Sequence, residues 1–235
     1  MHPTIHYLEN KNLLWRGNTS PQVCHSRQQT GFKELDDALQ GGFPEHGVIE
    51  LRSPIGIGEL RLILPSILAR HQQKPADISA FIAPPIAINS EMLAELGFAL
   101  EQIIVVQPKA PALALWSAEQ SLKSGGCHSV VLWCNNLTIC QVKRLQLAAE
   151  KGGALLFIIR ARSQHYIPLP VTLALTLSHA DAGIQVQISK RKGAWPSQAL
   201  TINMVHYWPE LSVQNQYHHR PNTVVYFPAR NGLTG

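Results

Sequence analysis

Charge is scarce along this chain of 235 residues, which limits what its surface can bind. Lys, Arg, Asp and Glu make up 15% of the residues, against roughly 25% in an average soluble domain. The 20 basic side chains exceed the 15 acidic ones by five, and no arginine-rich tail is present. That balance permits contact with nucleic acid or with an acidic partner without requiring either. A surface with so little charge favours faces that a partner covers.

Cysteines and long apolar runs are also sparse. The four cysteines are Cys24, Cys127, Cys134 and Cys140, and no two of them form a CxxC pair. The sequence does not open on a secretory leader pattern, and no apolar run reaches the roughly 18 residues of a membrane span, so we expect a cytoplasmic protein with reduced thiols. The 11 histidines are scattered. Neither His218-His219 nor the group of Cys127, His128 and Cys134 has the spacing or the charged neighbours of a metal or catalytic site.

Strand-like and helix-like segments alternate from residue 47 to residue 160. Near-continuous apolar runs predict strands at 47–51, 78–83, 102–108, 129–134 and 154–160, with helical spacing between them. This alternation is typical of a parallel sheet that is covered on both faces. The later segments 171–177, 183–190 and 198–204 alternate with period two, which favours antiparallel strands. The predicted fold class is α/β, a doubly wound and mostly parallel sheet with an antiparallel C-terminal edge.

One domain with two ragged ends is the simplest organisation. Residues 1–29 form a polar segment with a short docking helix around Leu14 and Trp15. Residues 30–206 form the core domain, which opens on a helix over 30–39 with Thr30 as its candidate cap. Residues 207–235 form a polar C-terminal tail.

The turn between the first strand and its helix has the shape of a phosphate-binding loop but different chemistry. It contains Ser53, Gly56, Gly58, Glu59 and Leu60. A phosphate loop needs glycines for close approach, a Lys to balance the phosphate charge, and then a Ser or Thr to hold Mg²⁺. Here Glu59 takes the place of the Lys and Leu60 that of the Ser or Thr. A carboxylate at that position repels a triphosphate, so a tight turn whose Glu favours the helix dipole fits better than catalysis.

A second requirement of an ATPase is also missing. A carboxylate at the end of a neighbouring strand holds Mg²⁺ in such enzymes. The corresponding strand ends at Trp133, and none of the four aspartates in the chain ends a core strand. We therefore expect neither ATP hydrolysis nor a bound cofactor.

Two segments, 30–64 and 78–133, resemble the core of the RecA recombinase, and the likeness extends over roughly residues 30–205. By this resemblance, the catalytic glutamate of RecA falls on Pro85 and its Mg²⁺-site aspartate on Trp133. The adenine-stacking aromatic falls on Met92, and the loop Lys and Thr fall on Glu59 and Leu60. The resemblance implies a RecA-like scaffold from which the catalytic groups are gone.

Four motifs resemble the ImuA family of RecA-like accessory factors in mutagenic DNA synthesis. They are "LWRG" at 14–17, "PIGIGELRL" at 54–62, "LALWSAEQSLKSGG" at 113–126 and "RLQLAAEKGGALLFIIR" at 144–160. This resemblance implies a non-enzymatic adaptor of the SOS response to DNA damage. Its partners would be an ImuB-like protein and an error-prone polymerase of translesion synthesis. Contact with RecA, with a second copy or directly with DNA stays open.

An alternative resemblance is to the SulA family, SOS-induced inhibitors of cell division that bind FtsZ and block its polymerisation. Residues 58–160 fit that family too. SulA proteins are shorter and have neither the helical segment at 30–39 nor the long C-terminal strands, so the extra length here favours ImuA.

Eight side chains are candidates for partner contact, namely Leu14, Trp15, Lys190, Arg191, Lys192, Trp208, Tyr226 and Phe227. The basic cluster at 190–192 fits DNA phosphates or a partner protein as well as it fits a solvated turn. The aromatic residues favour protein contact over base stacking, because few basic residues are interleaved with them. Packing back onto the domain is an equal alternative for the C-terminal aromatics, and it is the favoured one for Leu14 and Trp15.

Overall fold

An eight-stranded sheet organises the chain in the computed structural model, which describes residues 27–162, 168–181, 183–191, 198–205 and 208. Two short strands precede it, β1 (Arg27–Gln28) and β2 (Phe43–Pro44), and pair antiparallel with each other. The sheet itself contains β3 (Gly47–Arg52), β4 (Ile78–Ile82), β5 (Ile103–Val106), β6 (Cys127–Trp133), β7 (Leu155–Arg160), β8 (Leu173–Ala180), β9 (Gly183–Arg191) and β10 (Leu200–Asn203).

The strand order is β10-β9-β8-β3-β7-β6-β4-β5. Strands β3 to β8 pair parallel with their neighbours among themselves, whereas β9 and β10 run antiparallel at one edge. The predicted fold class is therefore confirmed. Strand β8 pairs antiparallel with β9, as predicted, and parallel with β3 through Ile49 and Leu173, so it joins the antiparallel extension to the parallel sheet. Leu173, Ala174 and Leu175 are accordingly buried like residues of a central strand.

Five α-helices cover the two faces of this sheet in the described part of the chain. They are α1 (Lys33–Leu39), α2 (Glu59–Gln73), α3 (Ser90–Glu95), α4 (Pro111–Lys123) and α5 (Ile139–Gly152), with a 3₁₀ turn at Leu100–Gln102. The side chains of α1, α2 and α3 join one buried cluster, and those of α4 and α5 join the other. Successive side chains of a strand point to opposite faces of the sheet and so join different clusters. In β7, Phe157 packs in the first cluster and Leu156 in the second. None of these helices is long and apolar enough to cross a membrane.

Local sequence explains most helix ends, and one predicted end was wrong. Helix α5 starts with a capping box between Thr138 and Gln141 and stops at Gly153, which has a left-handed conformation. Helix α1 begins at Lys33 rather than at the predicted cap Thr30. The Thr30 hydroxyl accepts the N–H of Phe32 at 3.1 Å, so it serves a turn ahead of the helix instead of the helix end.

The predicted domain boundaries stay a prediction. The first segment lies mostly outside the described residues, and so do Leu14 and Trp15. Strand β1, at the end of that segment, pairs with β2.

Candidate functional site

The loop between β3 and α2 has the strand–turn–helix geometry of an anion-binding turn. Gly56 and Gly58 have φ values of 84° and 94°, in the left-handed region that favours glycine. Gly58 is the N-cap of α2, a helix of 15 residues whose first N–H groups face the loop. At the other end, the N–H of Ser53 donates to the carbonyl of Arg160 at 2.9 Å, and this bond ties the loop to β7.

The side chain of Glu59 folds back over this loop instead of extending into solvent. Glu59 is the first residue of α2 and is 7% exposed. Its Oε1 accepts the N–H of Gly56 at 3.4 Å, and its Oε2 is buried with no hydrogen-bond partner among the described residues. A phosphate loop points its N–H groups and its helix end at an anion. In this chain the anion facing Gly56 is a carboxylate of the protein itself.

The other residues that the resemblance aligned with catalytic positions of RecA lie along the same edge of the sheet. Leu60 is half-buried and packs against the core cluster on the α2 face. Trp133 ends β6 half-buried, with its ring centroid 6.5 Å from that of Phe81, and Pro85 follows β4 in an exposed turn. Because β3, β4 and β6 are parallel, their carboxyl ends meet at this edge. Leu60 and Trp133 both pack against the same buried apolar cluster.

Comparison with known proteins identifies the family of this fold. The RecA N-terminal domain family matches residues 10–143, more than half of the 235 residues. The chain belongs to the RecA N-terminal domain family. This match begins and ends earlier than the likeness predicted over residues 30–205. Most of the matched residues nevertheless lie within the predicted range.

Individual relatives of this RecA-family chain are RecA proteins of cyanobacteria. RecA of Picosynechococcus sp. is 28% identical over 142 residues, which cover 60% of this chain and 39% of that protein. RecA of Synechococcus sp. strain CC9902 is 33% identical over 103 residues, covering 44% and 27%. The match therefore spans about a third of the length of these relatives. The crystal structure of SulA from Pseudomonas aeruginosa is 31% identical and covers 48% of this chain and 98% of its own, with a TM-score of 0.42.

Arg61 lies against the loop between β3 and α2 of this RecA-family chain, and its guanidinium lies over the Trp208 ring. The Arg61 guanidinium packs so closely on Gly58 that any side chain there would collide with it. Its carbon atom Cζ lies 6.0 Å from the centroid of the Trp208 ring, within cation–π range. Burial lowers the pKa of Arg61, and the Glu59 carboxylate opposes that shift. Trp208 is 8% exposed and its N–H donates to the Met204 carbonyl at 2.9 Å. Of the two alternatives for Trp208, this burial fits packing on the domain, and its role as a partner contact stays a prediction.

Sequence reasoning missed a buried ion pair beneath the loop. Glu50, on the central strand β3, is fully buried and its Oε1 accepts from Arg160 at 2.7 Å. The Arg160 Nε also donates to the Asn135 carbonyl at 3.1 Å, and the Asn135 side chain accepts from the N–H of Ala161 at 2.7 Å. This pair joins the ends of β3, β6 and β7. The sequence did contain a signal for this pair. Glu50 lies inside one apolar run and Arg160 ends another, and a buried charge needs a partner.

Two residues of the basic cluster at 190–192 make hydrogen bonds within the chain. Lys190 donates to the Leu169 carbonyl at 2.9 Å. Arg191 donates to the Ala38 carbonyl and to the Gln40 side chain, both at 3.0 Å, so it satisfies the carboxyl end of α1. Burial lowers the pKa of Arg191, with a smaller contribution from Arg27. Lys192, Tyr226 and Phe227 lie outside the described residues.

His128 and its neighbouring thiol are packed into the base of the sheet. The two ring nitrogens of His128 lie 3.1 Å from the Ser79 hydroxyl and 2.9 Å from the Ser129 hydroxyl. Burial, with smaller contributions from Arg70, His71 and Lys74, lowers the pKa of His128 to about 4. Burial also raises the pKa of the Cys127 and Cys134 thiols. Within the described ranges, no group of His, Cys, Asp and Glu is arranged to hold a metal ion.

Proposed function

We propose that this chain is a non-enzymatic adaptor of the SOS response that helps to assemble an error-prone translesion synthesis complex. Its partners in this proposal are an ImuB-like protein and the polymerase that works with it. The observation that carries the non-enzymatic part is Glu59, whose carboxylate faces the loop N–H of Gly56 where an ATPase would face phosphate. A RecA-family scaffold that keeps its shape while its loop is filled in this way is suited to binding other proteins.

The chemistry of the loop argues against nucleotide hydrolysis for three reasons. The Glu59 carboxylate repels the phosphates that a Lys would attract. Leu60 offers no hydroxyl to Mg²⁺, and the neighbouring strand ends in Trp133 rather than in a carboxylate. Each of these replacements alone would slow catalysis severely, because each removes a group that holds the metal or stabilises the developing charge in an ATPase.

The adaptor part of the proposal rests on sequence resemblance and on the surface. The ImuA-like motifs cover parts of α2, α4, α5 and β7, so they are spread over the core rather than confined to one turn. Two apolar side chains of α4 are exposed on successive turns, Leu113 at 50% and Trp116 at 59%. Large exposed apolar side chains are typical of protein contacts.

Co-purification with an ImuB-like protein and its polymerase from the same organism tests the adaptor proposal. We expect capture of the ImuB-like protein by the full chain, and loss of damage-induced mutagenesis when the gene is deleted. Restoration of mutagenesis by the Glu59→Ala variant would show that the Glu59 carboxylate is not needed for the adaptor role. The non-enzymatic part fails if the purified chain hydrolyses ATP in the presence of single-stranded DNA and Glu59→Ala alters that rate.

A SulA-type inhibitor of cell division is the second candidate, because residues 58–160 also resemble that family. Overexpression in a bacterial host then produces filamentous cells without DNA damage, and the purified chain slows FtsZ polymerisation. Normal division at high expression, together with unchanged FtsZ polymerisation, would reject this candidate and leave the adaptor proposal standing.

A further inference from the structure

We infer that the groove between α4 and α5 is a docking site for an acidic peptide segment that carries a large apolar side chain. This inference deepens the adaptor proposal, because it states the chemistry of the segment that a partner would insert. It rests on the proposed function only in requiring that such a partner exists. The loop between β3 and α2 takes no part in it.

The groove is formed by two helices that pack against each other over one face of the sheet. Ala112, Leu115 and Trp116 of α4 and Leu145 of α5 provide its apolar wall. Its volume is about 290 Å³, at the lower limit of the roughly 300–1,000 Å³ that small-molecule sites occupy. A space of this size suits one or two side chains of a peptide better than a whole cofactor.

Trp116 lines this groove and is nevertheless largely in solvent. It is 59% exposed, and Leu113, three residues earlier on the same helix, is 50% exposed. Exposed apolar side chains beside a concave surface are typical of protein contacts, and tryptophan is enriched among the residues that dominate binding. The Trp116 ring is therefore suited to cover an apolar side chain that enters between the helices.

The carboxylate of Glu119, which also lines the groove, holds two cations beside it. Its Oε1 accepts from the Lys123 ammonium at 2.6 Å, and its Oε2 accepts from the guanidinium of Arg144. Lys123 lies one turn further along α4, whereas Arg144 reaches across from α5. Charge-assisted hydrogen bonds of this kind are stronger than neutral ones. Glu119 thus positions both cations at the groove before any ligand arrives.

The two cations exceed the one carboxylate, so the groove has a net positive charge at neutral pH. The side chains of Lys123 and Arg144 are 49% and 67% exposed, whereas that of Glu119 is 11% exposed. An ammonium has three N–H donors and a guanidinium has five. Both therefore carry donors that the bonds to Glu119 do not use. A ligand carboxylate complements this charge, while the apolar wall beside it accepts the ligand's apolar side chain.

Charge also distinguishes this ligand from two other occupants. The exposed charged side chains of α4 and α5 are four cations and one anion, namely Lys123, Lys143, Arg144, Lys151 and Glu150. A surface with that balance repels a second copy of itself. Interfaces with nucleic acid are more polar than protein interfaces, and a groove walled by leucine and tryptophan does not match them. An acidic and partly apolar segment of another protein fits both the charge and the wall.

Selection of displayed random short peptides on the immobilised full chain tests the inference. Synthetic copies of the enriched peptides are then titrated against the purified chain, with fluorescence anisotropy as the measurement. We expect the enriched peptides to contain Asp or Glu close to a Trp, Phe or Leu. Their binding should weaken as sodium chloride is added, because the charges of Lys123 and Arg144 are exposed to screening.

Three variants locate the bound peptide. Ala112→Tyr fills the groove and Arg144→Glu reverses a charge beside it, so each should bind the enriched peptides at least about tenfold more weakly than the wild type. Lys143→Glu is the matched control, since it makes the same charge change at an exposed residue of α5 outside the groove, and it should bind as the wild type does. All three positions are exposed, so thermal unfolding should change little. If Arg144→Glu does not fold because its carboxylate meets Glu119, Ala112→Tyr decides the result.

A charge exchange between peptide and protein gives an independent readout. A peptide whose Asp and Glu are replaced by Lys should bind the wild type at least about tenfold more weakly than the original peptide. The same Lys peptide should bind Arg144→Glu more tightly than it binds the wild type, because the exchange restores opposite charges. Loss of groove structure alone would weaken both peptides in Arg144→Glu and would not produce this reversal.

Several results would overturn the inference. Enriched peptides without acidic residues, or equal binding by wild type and Ala112→Tyr, would contradict it, and so would the absence of any peptide with a Kd below about 1 mM. Self-association that Ala112→Tyr abolishes would assign the groove to a second copy. Binding of an oligothymidine that Arg144→Glu abolishes would assign it to nucleic acid.

Capture of the ImuB-like protein is measured separately, so the two proposals fail in different ways. Capture that persists while no acidic peptide binds the groove would reject the docking site alone. Acidic peptides that bind the groove while the ImuB-like protein is not captured would reject the named partners and leave the docking site standing.

Discussion

The proposed lack of ATPase chemistry rests on several individual residues, and Glu59 is one of them. Restoring the loop alone should not restore activity, because a P-loop Lys positions phosphate but cannot replace the carboxylate that holds Mg²⁺. Trp133 and Pro85 occupy the ends of the neighbouring strands β6 and β4 and provide no such group. The losses lie on different strands, so repair at one position leaves the others in place.

The double variant Glu59→Lys/Leu60→Thr is therefore expected to show no ATP hydrolysis above the rate of the wild-type chain. The measurement is phosphate release with and without single-stranded DNA, with a bacterial RecA as the positive control. A DNA-stimulated rate in the double variant would show that another carboxylate serves Mg²⁺, and would contradict the assignment of Trp133 as a lost metal position.

The buried His128 makes stability depend on pH. Its pKa is about 4 in the folded chain, against about 6.5 for an unfolded histidine. The unfolded chain therefore binds the proton first, so stability is full above about pH 6.5 and is lost as the pH falls towards 4. That difference corresponds to about 3 kcal/mol. His128→Gln should flatten the fall in the free energy of unfolding over this window, measured by urea unfolding at several pH values. The exposed His179→Gln is the control, and an unchanged slope in His128→Gln would contradict the prediction.

The pair of Glu50 and Arg160 should be the most sensitive charge contact in the described part of the chain. Arg160→Met leaves the fully buried Glu50 carboxylate without this partner, and breaking such a pair costs about 3–5 kcal/mol. Chemical denaturation measures the loss. The control is Arg162→Met, two residues further on and exposed, for which a change within about 0.5 kcal/mol is expected. Similar losses of unfolding free energy in both variants would show that the ion pair contributes no more to stability than an exposed arginine does.

At the level of elements, the sequence predicted the central sheet well and its surroundings less well. Strands β3 to β7 and the helices between them match the expected segments closely, because apolar runs and glycine stops are local signals. The parallel pairing of β8 with β3 joins segments far apart in sequence. The start of α1 and the inward turn of Glu59 rest on local hydrogen bonds to Thr30 and from Gly56 that the apolar pattern does not encode. Nothing in the order of residues near Trp208 places it over Arg61, 147 positions earlier.

Helix α5 offers a prediction at this level. Thr138→Ala removes the side-chain oxygen that accepts the N–H of Gln141, one half of the capping box. Loss of such a cap costs about 1 kcal/mol. Thr138→Ser keeps the oxygen and should recover most of that stability in the same denaturation experiment. Equal destabilisation by Ala and Ser would indicate that the methyl group of the threonine, rather than the cap, matters.

At the scale of the whole molecule, an adaptor must bind through side chains that its own fold does not need. Leu113 and Trp116 on α4 meet that condition by their exposure, whereas Trp208 does not, because it packs over Arg61. Leu147 on α5 is a control that matches Leu113, since it is the same type of side chain with 66% exposure on a different helix.

The double variant Leu113→Ala/Trp116→Ala should bind the ImuB-like protein at least about tenfold more weakly, because truncating a hot-spot tryptophan costs about 2 kcal/mol or more. Its thermal unfolding should stay close to that of the wild type, because exposed side chains contribute little to stability. Leu147→Ala should bind as the wild type does. Binding is measured by titration of the purified proteins. Equal weakening by Leu147→Ala would point to a general effect of removing apolar surface, and unchanged binding of the double variant would exclude this face of α4 as the contact.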